Sequence, residues 1–391
     1  MRRRWMGRDV KLFAWGMGQD GCSYYRLVLP LTTLAEDPGM DLDLVVGRGL
    51  PSSVRDGSSG VDVVVSQRLI EPRVVDAWQQ MATDGRTLVV DYDDDHFSLR
   101  DDNPAWRNPS SNWPNKEAWD REWLPAMERA IAAATLVTCS TDYLANVLRQ
   151  HSDKVVVLPN RIDAGLFAAD QPLRGPGEHL RVGWAGSATH DKDWAQAAPH
   201  IAHGLRKVPD SEMVMMGHDY GPAVGHRRSS FRPWQVDMTA YYNSMTDLHV
   251  GLAPLANDQF NRSKSCVKAL EYAALGIPVI ASDVGSYHDF VQHGVTGFLV
   301  KNSHEWSRYI RMLGSDEGLR RQMGAAAREV AREHTVQEHA HEWLDAYRTV
   351  MPCAGQSCER QLDLADSGRQ TSDALWEAIS MLQSLERSQV P

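Results

Sequence analysis

The chain has 391 residues, more than one hydrophobic core usually serves and enough for two domains. With 42% apolar and 24% charged residues it has the composition of a globular protein, and no apolar run approaches the roughly 20 residues of a membrane-spanning helix. A formal net charge of −10 argues against a main task of gripping nucleic acid nonspecifically, with Arg227, Arg228 and Arg232 the one candidate for a local basic patch.

The opening MRRRWMGRDVKLFAWG has basic residues but no apolar h-region, so no signal peptide is expected, and its arginines read as a solvated terminus or a contact with an anionic surface. Short runs rich in β-branched residues then recur at Val10–Trp15, Leu42–Val46, Val61–Val65, Thr87–Asp91, Thr135–Cys139 and Val155–Leu158. Helical patterns such as Trp123–Ala134 and Tyr143–Gln150 lie between them, an alternation that predicts an α/β domain with a parallel sheet. Continuous hydrophobicity in VVVS and LVVDY suits strands covered on both faces.

After PNRID (Pro159–Asp163) the chain turns Gly/Pro-rich and polar, as a linker does. A second series starts at Leu180, with LRVGWAG, EMVMMG, LHVGLAPL, PVIAS and GFLV as strands. Residues 335–350 form a helix whose Trp343, Leu344 and Tyr347 give it an apolar face. A polar connector follows Met351, then an amphipathic helix with Leu375, Ile379, Leu382 and Leu385 along one side, which docks back on the body or self-associates. The expected division is 1–165, an N-terminal Rossmann-like acceptor domain; 166–178, a linker; 179–334, a C-terminal Rossmann-like donor domain; 335–352, a closing helix; and 353–391, connector and tail helix.

The five cysteines are odd in number and scattered without metal-ligand spacing, which fits reduced thiols and a cytoplasmic location; Cys139 and Cys266 read as small core residues. Doubly wound sheets bind ligands at the carboxyl ends of their strands, so the strand-to-loop turns are the candidate sites. The first is Gly16-Met17-Gly18-Gln19-Asp20-Gly21, where Gly18 permits close backbone approach. No ribose-binding acid closes a βαβ unit at the dinucleotide-fingerprint distance. Tyr24, Tyr25 and Arg26 follow, and the fork of Arg26 suits a phosphate.

The second turn, from Gly183 to His190, brings Gly186, Ser187 and His190 to a helix N-terminus; His190 either donates to a phosphate oxygen or caps the helix. The third carries Ser263, Lys264 and Ser265 into a helix on which Lys264, Lys268 and Glu271 share one face. Two ammonium groups meeting a diphosphate and a carboxylate accepting from a ribose would make this a nucleoside-diphosphate site; a solvated face with a Lys–Glu pair is the alternative. Trp234 in FRPWQVD stacks on a base or lies in a core. Asp91-Tyr92-Asp93-Asp94-Asp95-His96 ends a strand: Asp93 or Asp94 orients an acceptor hydroxyl or sugar, or the loop is simply solvated and acidic.

The order PNRID, GWAGSATH, KSCVKALEYAALGIPVIASDVG and HGVTGFLV resembles the family 4 glycosyltransferases of the two-Rossmann (GT-B) fold, over roughly residues 10 to 350. The resemblance implies two Rossmann-like domains facing a central cleft and retaining transfer from a nucleotide-diphosphate sugar, UDP- or GDP-linked. No cofactor or metal is required. Glu271 matches the second acid of the family's paired-glutamate motif, which holds the donor ribose, whereas Ser263 stands where the first acid belongs. Asn261, Ser263 or Asp258 would then substitute. Lys264 and Lys268 match the phosphate-contacting basic residues, and Lys268 is the expected catalytic cation. GCSYYRLVLPL, VVSQR, VDYDDDHF and GWAGSATHDKD are further similar to glycosyltransferase-like proteins of actinobacteria and their tailed phages. Acceptors then include glycans, proteins and modified phage DNA bases (the last disfavoured by net charge), and the location becomes the host cytoplasm if a phage encodes the chain. A sugar-nucleotide 2-epimerase and a non-catalytic sugar-nucleotide or glycan-binding module share the fold and stand as alternatives.

Overall fold

The computed structural model describes residues 10–350 except 17–19, 36–39, 47–49, 104–105, 107–112, 171–174 and 176–177, with the backbone alone over the strand Met40–Val46. The N-terminal arginines, Gly18, the polar connector and the tail helix lie outside the described residues. Two six-stranded sheets organise the rest. The first comprises β1 (Val10–Gly16), β2 (Met40–Val46), β3 (Val63–Gln67), β4 (Thr87–Tyr92), β5 (Leu136–Cys139) and β6 (Val155–Val157), in the order β2-β1-β3-β4-β5-β6. The second comprises β7 (Leu180–Gly186), β8 (Ser211–Gly217), β9 (Ser229–Pro233), β10 (Val250–Ala253), β11 (Val279–Ser282) and β12 (Gly297–Val300), ordered β12-β11-β10-β7-β8-β9. Every pairing is parallel.

The β-branched runs become strands because helices cover both faces of each sheet. β3, β4, β5, β10, β11 and β12 are buried along their whole length. In the first lobe Trp78, Met81, Met127, Ala130 and Ile131 pack from the helices Pro72–Thr83 and Leu124–Ala133 against β3–β5. In the second, the helices Asp191–Leu205 and His304–Ser315 meet over β7 and β8. Gly204 lies so close to Ser307 and Ile310 that an added Cβ would be 3.0 Å from both. Each large side chain so buried contributes about 1.5–3 kcal/mol.

β9 has no counterpart among the strands expected from the sequence. It is an edge strand whose residues alternate between exposed and half-exposed and which ends in Pro233, so it carries no apolar run to read. The helix Val336–Arg348 returns the chain to the first lobe. Thr335 bridges Ile162, Arg161 pairs with Glu342 at 3.0 Å, and the buried Trp343 ring lies 5.9 Å from the Arg26 guanidinium.

The carboxyl ends of β4 and β5 meet the segment that leads into the helix Val267–Ala274 of the second lobe. The Asp95 N–H donates to Ser263 Oγ at 3.1 Å, and the Thr141 hydroxyl donates to the Ser263 carbonyl at 2.8 Å. Gln259 donates to Asp95 at 3.1 Å, and Asn160 donates to Ser265 Oγ at 2.9 Å. These bonds hold the strand ends of the first sheet opposite those of the second.

Candidate functional site

The site starts at the helix Val267–Ala274, whose Lys268 and Glu271 share one face; Lys264, expected on that face, lies ahead of the N-cap Cys266 and outside the helix. Glu271 is only 2% exposed, which removes the reading of a solvated Lys–Glu face. Its Oε1 accepts from the Tyr25 hydroxyl of the first lobe and its Oε2 from Tyr241 at 3.0 Å, while Tyr25 and Tyr242 join hydroxyls at 2.9 Å. Burial raises its pKa against the pull of Lys268 and the tyrosines. Tyr25 comes from a π turn, Tyr24–Val28, directly after the β1 loop, and such turns concentrate at functional sites.

The Lys268 ammonium donates to the Ala185 carbonyl at the end of β7 and lies 5.8 Å from the Trp184 ring centroid. Burial, with Lys264 nearby, lowers its pKa. Lys264 crosses to the first lobe, 3.1 Å from Asp94, and lies over the Phe260 ring at 4.5 Å. β7 ends in Gly186 because Trp184 folds beneath it: a Cβ there would sit 2.4 Å from the indole. Ser187 is exposed and shares a hydrogen bond of 3.0 Å with Thr189. His190 follows at the N-terminus of the helix Asp191–Leu205. Its Nδ1 is 2.6 Å from Asp193 Oδ2, and its ring is 5.5 Å from that of Trp184. Trp184 is thus the floor between His190 and Lys268.

Trp234 is 45% exposed, which excludes a core position. It lies over Gly217 at the end of β8, where a Cβ would approach its ring to 2.8 Å, so a flat aromatic face is presented beside the second sheet's strand ends.

The acidic loop after β4 is not solvated: Asp93 is 7% and Asp95 0% exposed. Burial and the neighbouring Asp94 hold the Asp93 carboxyl above its usual range. In Asp94 burial opposes ionisation, but Lys264, His96 and Arg68 together outweigh it and the pKa falls. Asp93 Oδ1 and His96 Nδ1 are buried without a hydrogen-bond partner.

Beside them is a residue that sequence reasoning did not single out. Arg68 follows β3 with φ 52°, a strained conformation for a side chain of this size. Its guanidinium lies 2.6 Å from Asp20 and 3.7 Å from Asp93. β1, β3 and β4 are neighbours in the sheet, so their ends bring Asp20, Arg68 and Asp93 together from distant sequence positions.

Three residues expected at the site are engaged elsewhere. Arg26 is fully buried, grips both oxygens of Asp91 at 2.9 and 2.7 Å, and donates to the Leu158 carbonyl and to Asn160. It faces the interior of the first lobe, not a phosphate. Ser263, 0% exposed, accepts from Asp95 and donates to the Phe260 carbonyl at 2.6 Å, so it does not stand in for the missing acid as a sugar ligand. Ser265 is held by Asn160. Asn261 donates to Asp193 and Asp258 pairs with Lys192, which commits the other two suggested substitutes. In the basic patch, Arg232 is bound to Asp247 through two contacts of 2.7 Å. Among the described residues no group of three or more His, Cys, Asp and Glu could hold a metal ion.

This geometry has relatives among known proteins. Residues 262–330 match the family described as Glycosyl transferases group 1, and that segment contains Lys264, Lys268 and Glu271. A glycosyltransferase from Rickettsia africae ESF-5 aligns over 87% of this chain and 98% of its own, at 12% identity and TM-score 0.59. Anabaena Alr3699/HepE, crystallised with UDP and glucose, aligns over 86% of this chain and 99% of its own, at 14% identity and TM-score 0.58. The chain has the GT-B fold. In sequence it is 26% identical over 244 residues to the D-inositol 3-phosphate glycosyltransferase of Stackebrandtia nassauensis, covering 55% of this chain and 53% of that protein. The match thus spans about half the length of the relative. No described helix is long and apolar enough to cross a membrane.

Proposed function

We propose that this GT-B protein is a glycosyltransferase of the family 4 type, moving a sugar from a nucleotide-diphosphate donor to an acceptor hydroxyl with retention of configuration. The observation that carries the reading is that Lys268 and His190 both lie against Trp184, with the buried Glu271 three residues after Lys268 on the same helix, within and beside the matched segment. A cation and an imidazole suit a diphosphate, and a buried carboxylate suits a ribose. Solved relatives hold UDP and UDP-glucose. The relative from Stackebrandtia nassauensis is named as a D-inositol 3-phosphate glycosyltransferase.

In this reading Lys268 and Lys264 meet the diphosphate, with Gly186, Ser187 and His190 lining its approach. Glu271 takes the ribose, and Trp234 stacks on the base. Asp93 and Asp94 orient the acceptor hydroxyl, with Arg68 fixing Asp93. The acceptor oxygen forms its bond to the anomeric carbon on the face from which the diphosphate departs. The carbon–oxygen bond to the phosphate breaks, and the hydroxyl proton passes to the leaving phosphate oxygen. Closure of the lobes excludes water from that exchange. No cofactor or metal takes part. The acceptor is a glycan, a protein or a modified DNA base, and the working compartment is the cytoplasm, that of the host if a phage encodes the chain.

Incubation with UDP- and GDP-sugars tests the reading. Release of free nucleoside diphosphate, by slow hydrolysis or by transfer, supports it, whereas conversion of the donor alone to its C2 epimer would identify an epimerase. Trp234→Ala is expected to weaken nucleotide binding by about 1–3 kcal/mol, the range found for base–aromatic stacking. Because Trp234 is 45% exposed, the melting temperature should hold; unchanged binding would remove the base from this face.

A further inference from the structure

Asp193 has no part in the reading above, yet its bonding is unusually complete. It is 4% exposed in the first turn of the helix Asp191–Leu205. Oδ1 accepts from the Ala256 N–H at 2.7 Å and from Asn261 Nδ2 at 2.8 Å, while Oδ2 faces His190 Nδ1 at 2.6 Å. With Oδ1 filled by two donors, Oδ2 is left to accept, so the Nδ1 proton of His190 is held on Asp193. The other nitrogen, Nε2, is then the one that changes state: an acceptor in neutral imidazole, a donor in imidazolium.

We infer that His190, oriented by Asp193, takes up one proton when the donor diphosphate binds, and that the imidazolium Nε2–H becomes a ligand of that diphosphate. The inference rests on the proposed donor site. Asp193 is a positioning residue in it, and His190 a binding residue.

The electrostatics of the unliganded site agree. Burial lowers the His190 pKa, Lys264 and Lys268 push it down further, and Asp193 only partly restores it, so the free ring is neutral near pH 7. Tyr220, whose hydroxyl accepts from the His190 N–H at 3.0 Å, is bonded onward to Asp191. A neutral imidazole avoids a third positive charge beside two lysines. The negative charges of a diphosphate reverse that balance and raise the pKa. Across the window between the free and bound pKa values, donor affinity then falls by up to tenfold for each pH unit of increase.

The test is calorimetric titration of the full chain with UDP-glucose and GDP-mannose at about pH 7.5 in HEPES and in Tris, whose different ionisation enthalpies report protons exchanged. Nucleotide sugars have no group of their own titrating there. The expected result is uptake of about one proton per donor in the native protein and about none in His190→Gln. Lys268 also has a lowered pKa, and uptake that persists in His190→Gln would assign the proton there and overturn the inference.

Asp193→Asn is the second variant. Its Oδ1 can keep both donors while Nδ2 donates to His190 Nδ1, which leaves Nε2–H on the neutral ring. Binding with lost uptake supports the inference, including where His190→Gln fails to fold; binding with uptake intact overturns it. Native binding without uptake overturns the inference alone, whereas binding of neither nucleotide sugar overturns the donor site as well.

Discussion

Replacing Lys268 by alanine is expected to lower kcat by roughly 100- to 1,000-fold, the usual cost of removing one preorganised charge from a developing anion. The diphosphate gains charge as the sugar–phosphate bond breaks, so a cation fixed beside it favours the transition state over the bound donor. Lys268 is fixed: its ammonium bonds the Ala185 carbonyl and rests on the Trp184 face, with Glu271 one helical turn on. Its lowered pKa adds a signature. A lysine is charged below its pKa and kcat/KM reports the groups of the free enzyme, so kcat/KM should fall on the alkaline side at a lower pH than the ordinary lysine range. Lys268→Arg, which cannot lose its proton in that range, should flatten the alkaline limb while retaining part of the activity. Steady-state rates across pH for both variants decide the matter; a Lys268→Ala variant with near-native kcat would remove the residue from catalysis.

The largest stability effect is expected at Arg26. Its pair with Asp91 is buried, with side-chain exposures of 0% and 2%, so solvent does not screen it. Arg26→Ala leaves the Asp91 carboxylate facing the Thr138 hydroxyl at 2.6 Å without its cation, and breaking such a pair costs about 3–5 kcal/mol. The same substitution strips donors from the Leu158 carbonyl and from Asn160, whose amide holds Ser265 across the lobes. Urea unfolding of Arg26→Ala should show that loss. A stable variant with specifically weakened donor binding would instead return Arg26 to the phosphate.

Most strands were legible because their buried positions are written as short apolar runs. LRVGWAG and GFLV match β7 and β12 residue for residue. β9 was not, since an exposed edge needs no such run. At the site, Lys264 precedes the helix and turns to Asp94 of the first lobe, but Lys268 and Glu271 could be read from helical spacing alone, as one face three residues apart. Arg68 could not: its place depends on β3 ending between β1 and β4, and its positive φ has no counterpart in composition. Arg26 was assigned by the chemistry of its fork and its position after a glycine turn. The signal for its true partner was present in LVVDY, because an acid inside a continuous buried strand requires a cation. The tyrosines on Glu271 left a fainter trace, two Tyr-Tyr pairs more than 200 residues apart that only the facing of the lobes brings together.

If the carboxyl ends of the second sheet grip a nucleoside diphosphate, a crystal structure of the full chain with a bound nucleotide sugar will show it. The diphosphate is expected against Lys268 and His190 above Trp184, the ribose on Glu271, and the sugar turned toward Asp93. A nucleotide seated away from the Val267–Ala274 helix, or a protein that takes up none of the UDP- and GDP-sugars, would contradict it.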